Sequence, residues 1–502
     1  MRRALIVAAL AVLAVAAVSA DAATPAFRYG VAAGEVTSTS ATLWTKASAA
    51  GTVRTEVSLG SRVVAARTAR AVRGNDLTVQ IRVSGLLPAT RYTYRFRQGS
   101  AASEKGAFRT APRAIAIANV RFAISGDADA TLTQSGGLGF NRFQVYARMA
   151  AERNDFNINL GDTIYSDSGV GGAPAARTIA EKWQKYKLGL ALPALRFLRA
   201  STGLYSHWDD HEFINDFSRS EQGDAIYAAG VKAFRDYAPV TYSPELGLYR
   251  SARWGKHLEL FFLDERSFRS AKTTSACGSD LAPTAPQPVR DAFASLAPGL
   301  RNPVPPACLT AINDPSRTML GTRQYAAFTS AIKASTATWK VIVNEVPIQQ
   351  YYALPYDRWE GYAAERERLL RFLQSNVKNV VFLTTDTHGN LVNEVRFRTL
   401  GAAPESSGMW EVVTGPVATN TFAKEVDRLL GAPGSGTAIA ALFFKPPPPS
   451  GLGMRCAAID VYSYAQVTVT ARTLTVAPRD AKGNPVREAT GVACAPLVVT
   501  AR

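Results

Sequence analysis

Five short apolar segments of this chain each end in side chains that can bind a metal ion or an anion. They begin near residues 120, 156, 204, 258 and 380, and carboxylates, histidines, a tyrosine or arginines follow them. Strands of one α/β sheet place such tips at a common edge, where sites in these sheets usually form. Grouped there, these side chains indicate a metal centre that acts on an anion.

The sharpest local signal is the turn that follows the second segment. Gly161 allows a tight turn, Asp162 comes where a metal ion can bind, and the phenol of Tyr165 follows three residues later. A trivalent iron favours a deprotonated phenol, so the pair predicts a ferric site. The alternative is that Asp162 caps a helix and Tyr165 only packs.

The third segment ends in a cluster of charged residues. Five of the six residues from His207 to Glu212 are ionisable, and Asn215 follows closely. Such a cluster repels itself unless cations or a hydrogen-bond network neutralise it. Carboxylate and amide oxygens, here Asp210 and Asn215, suit Ca²⁺ or Mg²⁺, whereas the imidazole of His211 suits iron or zinc. The alternative is a solvated charged turn.

The last segment is followed by Asp386 and His388. Two residues apart on an extended backbone, their side chains lie on one face. The pair can supply two metal ligands, or one ligand and a general acid. The alternative is a capping aspartate and a buried, hydrogen-bonded histidine.

Two arginines, Arg266 and Arg269, follow the fourth segment. A guanidinium group matches the oxygens of a phosphate and stabilises charge on a transferring phosphoryl group. The alternative is an ion pair, for example between Arg266 and a nearby ligand carboxylate.

The patterns between these segments predict two kinds of structure. Residues 27–112 contain short alternating strands, which predict a β-sandwich of fibronectin or immunoglobulin type. Residues 118–502 alternate apolar strands with amphipathic helices, which predicts an α/β domain. Within it, residues 271–312 are rich in proline, alanine and serine and predict a surface insertion. Helices are predicted over 143–152, 178–188, 225–237, 323–335 and 363–375, and terminal strands over 459–464, 466–469 and 473–476.

The amino terminus resembles an export signal. Two arginines and an apolar run from Ala4 to Val18 precede small residues, so residues 1–23 predict a signal peptide that is cleaved near Ala20 to Ala23. The sequence therefore predicts a periplasmic or secreted protein that is exported by the general secretory or the twin-arginine route. In an oxidising compartment the four cysteines predict two local disulfides, Cys277–Cys308 and Cys456–Cys494.

The composition narrows the choice of partners. At 502 residues the chain can hold two or three domains, and its net charge is +17. The basic residues are scattered, which favours a basic soluble surface over a specific nucleic-acid or membrane partner. Such a surface attracts phosphorylated substrates. No segment after the leader predicts a membrane span, and the oligomeric state is not predicted.

Taken in order, the motifs resemble those of the PhoD-like alkaline phosphatase and phosphodiesterase family. The similarity extends from about residue 27 to residue 420. The motifs are found in residues 30–35, 41–45, 161–165, 208–215, 264–269, 319–340, 357–362 and 385–388. The resemblance implies a β-sandwich followed by a four-layer αββα metallophosphoesterase core. It also implies Fe³⁺, one or more Ca²⁺ ions and hydrolysis of phosphate monoesters or diesters at alkaline pH.

The resemblance also implies roles for the candidate residues. Asp162 bridges two metals and a metal-activated water attacks phosphorus, while Arg266 or Arg269 holds phosphoryl oxygens and His211 or His388 protonates the leaving oxygen. The remaining ligands are divided between the iron and the second cation: Asp127, Tyr165 and Asp386 on the iron, and Asn215 and Asp210 on the other.

One departure from the family concerns the iron. The family often supplies a cysteine ligand after its first core strand, where this chain has Asp127, with Asp129 as the competing ligand. A carboxylate is a harder ligand than a thiolate, so a diiron or Fe–Zn²⁺ centre is an alternative. Two other functions stay open, a phospholipase D-like phosphodiesterase and an exported metal- or phosphate-binding protein without turnover.

Overall fold

Strands and helices alternate through most of the chain in this computed structural model, which describes residues 26–278, 280–401 and 403–502. The strands are β1 (Val31–Gly34), β2 (Ser40–Lys46), β3 (Gly51–Leu59), β4 (Arg62–Ala71), β5 (Thr78–Ser84), β6 (Arg91–Gln98), β7 (Ala101–Ala102), β8 (Gly106–Arg109), β9 (Val120–Ser125), β10 (Phe156–Leu160), β11 (Gly203–His207), β12 (Arg250–Trp254), β13 (Leu258–Phe262), β14 (Trp339–Val343), β15 (Val380–Thr384), β16 (Asn390–Arg398), β17 (Glu405–Val413), β18 (Cys456–Ala458), β19 (Ser463–Val469), β20 (Thr473–Asp480) and β21 (Leu497–Thr500). The helices are α1 (Gln144–Ala151), α2 (Ile179–Ala191), α3 (Pro193–Ser201), α4 (Arg219–Gln222), α5 (Asp224–Tyr237), α6 (Thr274–Cys277), α7 (Gln287–Phe293), α8 (Pro306–Ile312), α9 (Gly321–Ala334), α10 (Ala363–Asn376), α11 (Phe422–Leu430) and α12 (Ser435–Ile439), with short 3₁₀ or π turns at Arg73–Asn75, Val170–Gly172, Pro298–Arg301, Trp359–Tyr362 and Ala440–Phe444.

Two large mixed sheets form the centre of the molecule. One has nine strands in the order β21-β20-β19-β9-β10-β11-β1-β2-β5, and the other has seven in the order β12-β13-β14-β15-β17-β16-β18. Alternate residues of each strand point to opposite faces. Phe122 of β9 and Leu260 of β13 therefore share the core between the sheets, whereas Ala123 and Phe261 pack against helices on the outer faces. The result is the predicted order of helix, sheet, sheet and helix.

The five site-bearing strands do not lie in one sheet, so that expectation was wrong. Strands β9, β10 and β11 are parallel neighbours in the first sheet, and β13 and β15 flank β14 in the second. The order of the five apolar strands along the chain does not determine which sheet each strand joins. The carboxyl ends of both sets nevertheless meet at one end of the layered core.

The amino-terminal strands form two sheets, as a sandwich requires, but one of them belongs to the core. Strands β3, β4, β6 and β7, with β8 on β6, make a separate five-stranded sheet. Strands β1, β2 and β5 extend the nine-stranded sheet, because β1 pairs with β11 and covers its edge. The domain limits at residue 112 and around 271–312 remain predictions.

The predicted cysteine pairs are both present as disulfides, Cys277–Cys308 and Cys456–Cys494. The first ties α6 to α8 within residues 271–312. The second ties β18 to the segment before β21.

The five predicted helices are present, and their ends agree with the prediction to within three residues. Two of the predicted terminal strands merge into β19, since residues 459–462 are not extended, and the third is β20. The predicted signal peptide lies outside the described residues. Within the part of the chain that the structure describes, no helix is long and apolar enough to cross a membrane.

Candidate metal centre

Four aspartates line up where the two sheets end. Asp127 follows β9, Asp162 follows β10, Asp210 follows β11 and Asp386 follows β15. Asp162 forms compact groups both with Asp127 and His388 and with Asp210 and His211, and within each group ligand atoms come within 4.8 Å of one another. Asp210 likewise joins Asp386, together with Asp209. Asp162 is therefore the residue shared by two potential cation positions.

The backbone at this site is strained. Asp127, Asp162, Asp386 and His388 have φ angles of 63°, 50°, 65° and 55°, in the left-handed region that side chains other than glycine rarely adopt. Such strain concentrates at functional sites, where the surrounding fold holds it in place. Gly126 permits the close approach of the first two strands, because a Cβ atom there would lie 1.8 Å from the carbonyl oxygen of Leu160.

The carboxylates are charged only at a cost. Burial, followed by repulsion from neighbouring carboxylates, raises the pKa of Asp127, Asp162 and Asp386 well above the usual range. Oδ2 of Asp127 is buried and has no hydrogen-bond partner among the described residues. A buried, unpartnered carboxylate oxygen among other carboxylates fits a cation, which would offset the repulsion.

Tyr165 and His388 are neutral partners across the cavity. The phenol oxygen of Tyr165 lies 3.1 Å from Nε2 of His388. Burial, and then His211, lowers the pKa of His388 to about 4, so its ring is uncharged at neutral pH and can accept a hydrogen bond from the phenol. Burial, and then Asp162, raises the pKa of Tyr165 well above its usual value. The phenolate predicted for Tyr165 therefore requires a bound cation.

His211 is held in a protonated form. Its Nδ1 lies 2.5 Å from Oδ1 of Asp167, and its backbone amide donates to Asp162 at 3.2 Å. Burial opposes the charge, but Asp210 and Asp167 outweigh it and raise the pKa of His211 to about 10. A cation on the same carboxylates would act in the opposite direction. Its ring stacks on Tyr165 with centroids 4.0 Å apart.

Asp167 is a site residue that sequence analysis missed. It binds His211 through one oxygen and accepts the backbone amide of Asn215 through the other at 2.6 Å. Both Asn215 and Asp210 line the cavity, as expected of ligands of a second cation. Asp167 lies two residues after Tyr165, and nothing in the local sequence distinguished it from an ordinary acidic residue in a turn.

Asp127 and Asp129 are the two candidates for the ligand that a cysteine often supplies in the family, and their contacts differ. Asp129 is already bonded to the Thr131 amide at 2.7 Å and to the Ser168 hydroxyl. Asp127 has a free oxygen and groups with Asp162 and His388. The geometry therefore favours Asp127 as the ligand.

Arg266 and Arg269 form part of a buried ion-pair network. Arg266 is fully buried, and its guanidinium binds Asp209 at 2.5 Å and Asp357 at 2.8 Å, while Arg269 binds Asp357 at 3.0 Å. Nη2 of Arg266 approaches Asp210 at 3.8 Å and Asp386 at 4.0 Å. Neither arginine lines the cavity, so the ion-pair alternative describes their observed contacts, and their phosphate contact remains a prediction.

Asp162, Asp210 and Asp386 line an open cavity of about 900 Å³. Two arginines that sequence analysis passed over, Arg358 and Arg428, are among its lining residues. Arg358 lies directly after Asp357, so the segment was visible in the sequence but its arginine was not distinguished. Of the other histidines, His207 is buried against Leu263 and His257 lies outside the cavity.

Comparison with known proteins places the chain in a family. The sequence profile of PhoD-like phosphatases matches residues 132–441, and that of their N-terminal domain matches residues 13–112. The chain belongs to the PhoD-like phosphatase family. Alkaline phosphatase D of Bacillus subtilis (strain 168) is 25% identical over 413 residues, which cover 72% of this chain and 64% of that protein.

Two solved structures share the fold. A structure of PhoD superposes with a TM-score of 0.73 at 21% identity, covering 95% of this chain and 90% of that chain. Purple acid phosphatase PPD1 from yellow lupin (Lupinus luteus) seeds superposes with a TM-score of 0.54 at 12% identity, covering 94% and 74% respectively. The likeness confirms the metallophosphatase-like core.

Proposed function

We propose that the protein is a metal-dependent hydrolase of phosphate monoesters or diesters. The observation that carries the proposal is the cluster of Asp127, Asp162, Asp210 and Asp386, of which the last three line an open cavity. Family membership supports the same chemistry. A second function, an exported metal- or phosphate-binding protein without turnover, is favoured only by the carboxylate of Asp127 at the position where the family often has a cysteine ligand.

The donor set fits two cations of different kinds. Asp127, Asp162, Tyr165 and Asp386 would hold Fe³⁺, with His388 as a further ligand, because it groups with Asp127 and Asp162. Asp162, Asp210 and Asn215 would hold Ca²⁺, which prefers oxygen ligands. Zinc or a second iron in place of Ca²⁺ is the alternative. Bound cations would polarise phosphoryl oxygens and lower the pKa of a water molecule.

His211 is the protein group best suited to donate a proton. Asp167 lies 2.5 Å from its Nδ1, where it fixes the ring and favours the protonated form. Nε2 lies 4.0 Å from Oδ2 of Asp162, beside the proposed cation position, and can donate to the oxygen of the departing alcohol. His388 is neutral and pairs with Tyr165, so it is the weaker candidate for this role.

The arginines divide into two roles. Arg266 and Arg269 hold Asp209 and Asp357 in place behind the ligands, while Arg358 lines the cavity, where its guanidinium can bind phosphoryl oxygens. The sequence predicts a direct phosphate contact from Arg266 or Arg269. For Arg266, this contact would require Nη2, which makes no hydrogen bond among the described residues, to reach past Asp210 and Asp386.

A substrate comparison tests the proposal. Hydrolysis of an aryl phosphate and of a bis-aryl phosphate is measured with and without added Ca²⁺, alongside elemental analysis of the purified protein. Asp162→Asn should lose metal and activity together, whereas Asp224→Asn, at a position whose side chain is 80% exposed, should change neither. Wild-type protein that binds metal yet hydrolyses neither ester would leave the binding-protein function instead.

The same proposal includes export. The signal-like residues 1–23 and the two disulfides fit a periplasmic or secreted protein. Intact-mass measurement on protein recovered from the cell envelope should show cleavage near Ala20 to Ala23 and no free thiols. A full-length reduced protein in that fraction would contradict export.

A further inference from the structure

A second, apolar cavity adjoins the metal-lined one. It has a volume of about 160 Å³, and aliphatic and aromatic side chains form most of its wall. Leu354, Arg358 and Phe422 line both cavities, so the two share one boundary. A group bound at the metals is therefore within reach of an apolar chamber.

Helix α11 and the disulfide-linked insertion form much of the wall of this apolar cavity, called the chamber below. Helix α11 contributes Phe422, Val426, Leu429 and Leu430, which recur on one face at helical spacing. The opposite wall comes from residues 281–300 of the insertion that Cys277–Cys308 ties together. Leu429 is 53% exposed and Leu296 is 40% exposed, so apolar surface is left in contact with water. Burying such surface against a ligand is favourable.

Arg358 stands at the boundary between the polar and apolar halves. Its Nε is buried without a hydrogen-bond partner among the described residues, and its guanidinium lies 5.1 Å from the ring centre of Tyr351. An unpaired buried donor next to the cavity that holds the candidate metal ligands fits an anionic oxygen. A phosphoryl group held there would direct one ester substituent into the chamber.

We propose that the chamber binds an apolar ester group of the substrate, about the size of one aromatic ring or a short alkyl chain. The inference rests on the proposed function, since it deepens the substrate class of the same site. The size follows from the volume, because an apolar cavity of about 150 Å³ accommodates a benzene molecule. A sugar or nucleoside substituent would lose its hydrogen bonds to water against this wall without replacing them.

A chain-length series tests the inference. The metal-loaded protein is assayed with 4-nitrophenyl esters of methyl, butyl, hexyl and octyl phosphate, which keep the leaving group constant. We expect kcat/KM to rise with each methylene by up to about fourfold until the chamber is full. The affinity of methyl- to octylphosphonate, measured by calorimetry, should rise in parallel.

Matched variants locate the effect. Ala297→Phe fills the chamber and should abolish the chain-length dependence, whereas Ala292→Phe, the same substitution at an exposed position of the insertion, should preserve it. Leu429→Asp removes an apolar wall at a half-exposed site, and Leu442→Asp, which is 69% exposed and outside the chamber, is its control. Thermal unfolding confirms that each variant is folded.

The outcomes separate the two proposals. Turnover of every ester with no dependence on chain length overturns the chamber while the phosphoesterase function stands. An absence of turnover both of these diesters and of the aryl phosphate monoester, with phosphonate affinity that still grows with chain length, overturns the phosphoesterase function and leaves the chamber as a binding site. If neither class of ester is turned over and no trend in affinity is seen, both proposals fall.

Discussion

Replacing Arg266 by methionine tests whether this arginine supports the site or contacts the substrate. The guanidinium is fully buried and binds Asp209 and Asp357. Asp357 keeps Arg269 at 3.0 Å, but Asp209 loses the cation that lies 2.5 Å from it. Breaking a buried pair on one side costs about 3–5 kcal/mol, because it leaves an uncompensated charge. We expect a loss of that size in the free energy of unfolding at pH 8.

The pH dependence of this loss gives a sharper test. Burial raises the pKa of Asp209 to about 7 even beside Arg266, so its carboxylate becomes neutral as the pH falls below that value. A neutral Asp209 no longer needs the guanidinium. The destabilisation of Arg266→Met should therefore be smaller at pH 5.5 than at pH 8. A loss that is constant with pH would show that packing, not charge, dominates.

The assay is chemical denaturation of metal-free protein, in parallel with turnover of an aryl phosphate by metal-loaded protein. Arg371→Met is the control, because it removes a half-exposed guanidinium from Glu367 and Glu405 and should cost about 1 kcal/mol or less. Asp209→Asn combined with Arg266→Met should recover part of the loss. Wild-type stability with turnover reduced by more than a hundredfold would refute the supporting role and favour direct phosphate contact.

Other predictions follow from the remaining site residues. Tyr165→Phe should bleach any ligand-to-metal absorption in the visible range without unfolding the protein, and a colour that survives would exclude a Tyr165–iron bond. Asp162→Asn should release metal, measured by elemental analysis, because the shared position needs a charged oxygen. Metal-free protein should lose stability as the pH rises from about 4 through 7, since the raised pKa values of Asp127 and Asp209 mean that the folded state binds more protons than the unfolded state; a flat profile would contradict that. Opening Cys277–Cys308 by serine substitution should reduce stability by about 3–4 kcal/mol if the whole loop unfolds, as seen in denaturation midpoints.

Sequence patterns were sufficient for the elements and for most of the candidate ligands. Apolar strands that end in aspartate locate Asp127, Asp162 and Asp386, because a buried strand and a polar tip are both local properties. The helices are also local, since amphipathic spacing marks them.

Other parts depended on contacts between distant segments. The assignment of β13 and β15 to a second sheet, and of β1 to the edge of the first, depends on pairing that the order of segments does not encode. Asp167 and Arg358 gained their roles only from neighbours brought close by folding. For Arg266, the alternative to phosphate contact, an ion pair, describes the observed arrangement, but the sequence did not indicate that this arginine is completely buried.

The strain and the repulsion at the centre have a common explanation. Three aspartates with left-handed backbones lie together, two of them buried and Asp386 partly buried, and each has a raised pKa. Without a cation the folded state would bear both the backbone strain and the repulsion between the carboxylates. Among the described residues, Oδ2 of Asp127 has no hydrogen bond that would offset these costs. Cation binding removes the electrostatic part, so folding and metal binding should be coupled. Because Asp127 offers a hard carboxylate oxygen, the coupling should favour hard, oxygen-preferring ions over those that prefer sulfur.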